Sequence, residues 1–374
     1  MKQVFLHAKK VRKEKKMNDE LLKDPDAGII YTAMQEEDFF GLLKDMSETD
    51  IWKECKGNEV RMMEKEGALL IELGSCGKYE LFPQAISSVR RRAGVSGDVL
   101  EKLTSAEAAC LLNICWPHAE GDVKALIRGG KLLALHSERF IPFQQFRLFD
   151  VFRAVLEDKY EKVKFEVAGY THERSYAIFE VASARLLSGY KHAMSEAGFT
   201  ACKDVRAFVE LATSDAGLNS VMLHPTLSLN HNERVFITPP MTINHRDDAT
   251  FEKIEAEMEG VFSLVDDGIK NLKRLLKIEL TYPSSVAIKI AKGRKFNMPG
   301  KLIRALDTEF KIPEMMGLTM TAHSFYFTLC EMMDLEGFRK LTPRRQLAVK
   351  EMLAKIAQMS EAEWMKLDVN DVSW

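Results

Sequence analysis

Apolar and polar positions along this chain repeat with a period that changes along its length, and the changes mark out its elements. From 33 to 48, Met34, Phe39, Phe40, Leu42, Leu43 and Met46 recur among acids at helical spacing, predicting a helix with one buried face. Two hairpins are then expected. Val60-Arg61-Met62-Met63 and Ala68-Leu69-Leu70-Ile71-Glu72-Leu73 flank Gly67, and Val123–Arg128 and Lys131–His136 flank Gly129-Gly130. Paired glycines between apolar runs suit a two-residue turn, since both central positions take positive φ. Between the hairpins, residues 82–116 read as helices. Thr104-Ser105 is a plausible cap before Ala108–Leu112, and Pro117 closes the segment. Residues 145–158 read as helix again.

Alternation with period two dominates the middle of the chain. Lys162–Val167 and Ser175–Val181 predict one pair of strands, and Val205–Leu211 and Ser220–His224 a second pair across Ser214-Asp215-Ala216-Gly217. Val235-Phe236-Ile237 adds a short strand ended by Pro239 and Pro240. After residue 246 the period returns to helical. Phe251, Ile254, Met258, Val261, Val265, Ile269, Leu272 and Leu276 form one stripe, which predicts a single amphipathic helix of about 30 residues. Shorter helices are expected near 284–293, 299–309, 321–334 and 343–358. The fold class expected is α+β, an antiparallel sheet built from several hairpins with a helical C-terminal third. Three segments follow: a flexible basic lead over 1–25, an α+β body over 26–245 and a helical region over 246–374.

Composition narrows the function classes. The chain has 374 residues, 46% of them hydrophobic, and a net charge of −2, enough apolar content for a large core. No apolar run has membrane-spanning length, and the short N-terminal patch before Lys9, Lys10, Arg12, Lys13, Lys15 and Lys16 is too brief for an export signal; a cytoplasmic protein is expected. Cys55, Cys76, Cys110, Cys115, Cys202 and Cys330 lack metal-like spacing and read as reduced thiols.

Charge is distributed unevenly even though it sums to nearly zero. Asp247, Asp248, Glu252, Glu255, Glu257, Glu259, Asp266 and Asp267 precede Lys270, Lys273, Arg274, Lys277, Lys289, Lys292, Arg294, Lys295, Lys301 and Arg304. Acids at the start of a helix and bases at its end complement its dipole, but the bases continue past Pro283. Lys289–Asn297, with Phe296 among its cations, could neutralise phosphates and stack on a base. Arg90-Arg91-Arg92 is a second basic cluster that reads equally as a solvated helix face. Asp247 is placed to cap the long helix.

Two stretches resemble a known family. Lys124–Pro142, a hairpin followed by Ser137-Glu138-Arg139-Phe140, and Phe208–Val221, a strand–turn–strand through Ser214-Asp215-Ala216-Gly217, resemble signatures of the "domain of unknown function 932" family carried by phages, plasmids and prophages. The resemblance spans roughly residues 80–280. It departs at Phe236–Thr242, where the family often has a cysteine and an Asn-Gly or Asn-Thr pair. The family is largely uncharacterised, so the resemblance implies a mobile-element setting more than a reaction.

No nucleophile elbow, phosphate-cradling glycine loop or dinucleotide fingerprint occurs in the sequence, and no catalytic residue or cofactor is expected. His224, His231, His245, Asp247 and Asp248 lie close in sequence without a metal-binding spacing, so no metal is expected either. Arg139 reads either as a bidentate phosphate contact or as a loop-fixing residue paired with Glu138. Three function classes remain. The first is a non-catalytic binder of DNA or RNA, single-stranded by preference, acting as a replication, recombination or strand-annealing accessory. The second is a phage–host effector using the acidic helix and Phe140, Phe143, Phe146 and Phe149 against a protein partner. The third is a homo-oligomer built on the long helix.

Overall fold

The structure is a computed structural model describing residues 31–370 apart from 34, 97–98, 117–120, 173, 200–203, 217–219, 231–233, 245–248, 294–299 and 336–342. In chain order it runs β1 (Tyr31–Ala33), α1 (Glu36–Thr49), β2 (Ile51–Cys55), β3 (Val60–Lys65), β4 (Ala68–Leu73), β5 (Lys78–Leu81), α2 (Pro83–Arg92), α3 (Ser105–Cys115), β6 (Val123–Arg128), β7 (Lys131–Ser137) and α4 (Gln145–Lys159). Then follow β8 (Lys162–Tyr170), β9 (Ser175–Ala182), α5 (Ser188–Glu196), β10 (Val205–Thr213), β11 (Val221–Leu229), β12 (Val235–Phe236) and β13 (Met241–Ile243). The remainder is α6 (Phe251–Met258), α7 (Gly260–Leu275), β14 (Glu279–Leu280), α8 (Pro283–Lys292), α9 (Gly300–Met315), β15 (Met320–Thr321), α10 (Ala322–Leu335), α11 (Pro343–Ala357) and α12 (Glu361–Leu367).

The strands form two main sheets. The smaller has the order β2-β6-β7-β5-β4-β3 and the larger β1-β8-β9-β10-β11-β12, with β13 also on β11. Hairpins supply most of the pairing, as expected; among the described residues β5 and β7 make the one parallel pair. Gly129 and Gly130 take φ of 57° and 81° in the β6–β7 turn, the positive values that the sequence assigned to them. Thr104 caps α3 in a reciprocal capping box with Glu107.

Alternation decides which face of the larger sheet is apolar. Val205, Ala207, Val209 and Leu211 of β10 and Val221, Leu223 and Leu227 of β11 join the main core with α1, α4, α6, α7 and the C-terminal helices. A second core packs the smaller sheet on α2 and α3 through Val89, Leu112, Trp116 and Leu132. Phe149 is buried in the main core, and Phe143 and Phe146 pack against it. Phe149 therefore belongs to the core, while Phe140, Phe143 and Phe146 stay half-buried.

Two expectations about elements are corrected. The stripe after residue 246 forms two helices: Phe262 N–H donates to the Glu259 carbonyl three residues back, and the turn tightens between α6 and α7. Gly260 sits there against Met241, whose sulfur would lie 3.2 Å from an added Cβ. The cap of α6 is Thr250, whose hydroxyl accepts from Lys253 N–H; Asp247 lies outside the described residues. β11 also continues through Pro225 to Leu229. The Pro225 carbonyl accepts from Ile237 N–H, which stands opposite it in the β11–β12 register; proline cannot return that bond, and the pairing with β12 ends there.

Gly268 of α7 shows how tightly helix and sheet meet. A Cβ at this position would lie 2.6 Å from Ile237 Cγ1 and 2.9 Å from Ile237 Cβ, and Ile237 is fully buried. Gly268→Ala is expected to lose about 1–3 kcal/mol by overpacking, against the small gain that alanine normally brings to a helix. Urea unfolding of the variant checks this.

Candidate functional site

Two polar clusters sit on opposite faces of the larger sheet, at the end where β8 turns into β9 and β10 leaves for β11. The first joins the two sheets. Arg128, the last residue of β6, is nearly fully buried. Its Nε donates to Asp50 Oδ1 at 2.7 Å, and its other nitrogens reach Asp50 Oδ2, the Tyr170 hydroxyl and, at 3.4 Å, Asp215 Oδ2. Gln145 donates to Asp215 Oδ2 and accepts from the Ser175 hydroxyl at 2.5 Å. His136 of β7 meets the Asp215 carbonyl at 2.7 Å and stacks on Phe140. The two stretches that carry the family resemblance thus converge on one cluster.

Burial pushes the Asp215 carboxyl up to about 6; Arg128 opposes the shift and Asp50 adds to it. Burial would depress Arg128, but Tyr170 and Asp50 outweigh it and the guanidinium stays above its ordinary value. A cleft of about 140 Å³ opens beside the cluster, with Ser47, Asp50, Trp52, Phe143, Gln145 and Asp215 among its walls. Its charged groups are already bound to one another. Arg128 serves first as the bolt between the sheets.

The second cluster lies on the face away from the main core. There Arg206, Phe208 and Glu210 of β10 stand beside His224, Thr226 and Ser228 of β11, in the register Glu210↔His224 and Phe208↔Thr226. Glu210 is almost fully buried. Arg174, from the β8–β9 turn, binds Glu210 Oε1, and Lys350 of α11 lies 3.8 Å from Oε2. Arg234 covers the Phe208 ring at 5.4 Å from its centroid, and its charge reaches Glu210. Three basic groups therefore share one carboxylate. Arg206 is engaged separately, by Asp204 and Glu180.

The electrostatics reflect that imbalance. Burial alone would raise the Glu210 carboxyl, but Lys350 and Arg174 draw it down to about 2. Burial depresses Lys350; Glu210 resists, while Arg174 and Arg234 push the same way as burial. His224, fully buried, is lowered to about 3 by burial and stays neutral near pH 7. Neither ring nitrogen of His224 has a hydrogen-bond partner among the described residues, nor have Thr226 Oγ1 and Arg174 Nε.

The basic residues singled out in the sequence are dispersed. Arg274 donates to the carbonyls of Gln358 and Met359 behind α11, and Lys289 to those of Leu367 and Val369 behind α12. Both finish helix C-termini. Lys273 is half-buried near Gly189. Lys277, Lys292 and Arg304 are exposed, at the end of α7 and on α8 and α9. Arg294, Lys295 and Phe296 lie outside the described residues, and of Lys301 only its place in α9 is described. Arg90, Arg91 and Arg92 close α2; Arg92 donates to the carbonyls of Gly121 and Asp122. Arg139 is exposed in the turn after β7. Of the histidines and acids weighed as metal ligands, His224 lies in the second cluster, and His231, His245, Asp247 and Asp248 fall outside the described residues.

Sequence reading missed Arg174, Glu210, Arg234 and Lys350. The available signal was a glutamate in β10 and a histidine in β11, within strands that are mostly apolar. No helix of the described structure is long and apolar enough to cross a membrane. No family model, curated protein or solved structure matches the chain.

Proposed function

We propose that the protein binds single-stranded nucleic acid without catalysing a reaction on it, and that the contact is made by the cation-bearing face of the larger sheet. The observation that carries this reading is the gathering of Arg174, Arg234 and Lys350 on the single carboxylate of Glu210. Cations in excess of their own carboxylates attract phosphates, and the release of counterions from the nucleic acid drives binding. Arg234 is half-buried at the rim of this face and is the group an incoming backbone meets. The exposed Lys277, Lys292 and Arg304 contribute to the general field. A mobile-element role, as a replication or recombination accessory, rests on the resemblance of 124–142 and 208–221.

Fluorescence anisotropy with a labelled single-stranded oligonucleotide tests the proposal. Affinity should fall steeply between 50 and 200 mM salt, and Arg234→Gln should weaken binding and make the salt slope shallower by about one. Lack of binding at low salt would remove the proposal. A partner-protein reading would then lead, because Ile312, Met315, Met316 and Leu318 at the end of α9 are all more than half exposed.

A further inference from the structure

The polar atoms left unpaired beneath the Glu210 cluster suggest what kind of phosphate this face takes. His224 and Thr226 are at least nine-tenths buried, and they lie on the same sheet face as Arg174, whose Nε is also unpaired. Thr226 offers a hydroxyl donor, neutral His224 one N–H and Arg174 its Nε–H. Together they put three unpaired donors on the sheet face that carries Glu210 and its bound cations, a small set suited to a compact oxyanion.

We propose that this face of the sheet, beside Glu210, binds a terminal phosphomonoester, the phosphorylated end of a nucleic-acid strand. The inference rests on the nucleic-acid reading above and deepens it. A phosphomonoester carries a charge of about −1.5 to −2 and three acceptor oxygens, whereas an internal diester carries −1. Around Glu210 itself Arg174, Lys350 and the nearby Arg234 favour a doubly charged group over a singly charged one. Three unpaired donors match three oxygens. Enclosure favours an end as well: His224 is fully buried and Thr226 nearly so, and a strand continuing in both directions could not bring an internal phosphate to them.

The test compares one oligonucleotide sequence with a 5′-phosphate, a 3′-phosphate or hydroxyl ends, using the full chain. One phosphorylated form should bind about tenfold more tightly than the hydroxyl form. Inorganic phosphate should compete away that advantage, and Thr226→Val should abolish it. Equal affinity for all three forms would overturn the phosphate site while leaving nucleic-acid binding in place. If no oligonucleotide binds, the nucleic-acid reading fails, and thermal unfolding with inorganic phosphate then judges the site alone. Stabilisation of the wild type beyond that of T226V would support it. Equal stabilisation would identify a general salt effect and overturn it.

Discussion

Glu210→Gln should unfold at markedly lower denaturant concentration than the wild type, with a loss of about 3–5 kcal/mol. The substitution keeps the shape of the side chain and removes its charge. Arg174 and Lys350 would then face each other across a buried face with no carboxylate between them, and Arg234 would add to the repulsion. Removing one partner of a buried ionic cluster is costly because the remaining charges cannot be rehydrated. A second substitution separates this cause from general disruption. Lys350→Met on the Glu210→Gln background removes one orphaned cation while keeping an unbranched chain over the Phe236 ring, where the ammonium now lies 4.8 Å from the centroid. Part of the lost stability should return. Were the double variant less stable than E210Q alone, charge imbalance would not be the cause. A phosphate site gives the same variant a further readout: with Glu210 neutral the face holds more uncompensated positive charge, so added phosphate should raise the melting temperature of E210Q more than that of the wild type.

How far this cluster was legible in the sequence depends on which interactions are local. The β6–β7 hairpin could be read from Gly129-Gly130 alone, because a turn requiring two positive φ values is encoded within four residues. The helix at Glu36–Thr49 and the strands β8 to β11 were legible for a similar reason, since burial on one face imposes a period on consecutive residues. The polar clusters have no such period. Arg128 meets Asp50 across 78 positions and Asp215 across 87. In Val205–Leu211 the residues Arg206 and Glu210 fall on the polar side of the alternation, which ordinarily means the solvent side. The structure places Lys350 of α11 over that side, and nothing in the pattern of β10 announces a helix about 140 residues further on. The same limit explains the cations. Arg274 and Lys289 look like part of a basic run, but each is bound to carbonyls of the C-terminal helices, a use that follows from where the chain returns and not from local composition. Likewise Glu259-Gly260 reads as an unbroken helical stripe until Met241 packs against Gly260.

Acid should destabilise this protein along a curve of characteristic shape. His224 titrates near 3 in the fold against an ordinary 6.5, so the unfolded chain takes up its proton first. The stability due to neutral His224 is complete above about pH 6.5 and is lost as pH falls toward 3, amounting to about 5 kcal/mol at most. Glu210 behaves the same way at lower pH: its folded value of about 2 lies below the ordinary 4.5, so its contribution is complete above about 4.5 and declines toward 2, by about 3 kcal/mol at most. Asp215 works in the opposite direction. Its folded value of about 6 exceeds the ordinary 3.8, so the fold prefers the protonated acid, and stability from this group rises as pH falls from 6 to 4. Between pH 6 and 4.5 the losses at His224 and gains at Asp215 oppose each other, and the unfolding free energy should change little. Below pH 4 the gain at Asp215 fades while His224 and Glu210 lose stability together, so the curve should steepen to a little over about one proton per molecule. Urea unfolding at half-unit pH steps reads this shape directly. Asp215→Asn should abolish the plateau and make the decline begin near pH 6.5, because the compensating group is gone. A variant curve that kept its plateau would mean that the carboxyl between the two sheets titrates normally, and that the bolt at Arg128 holds it ionised after all.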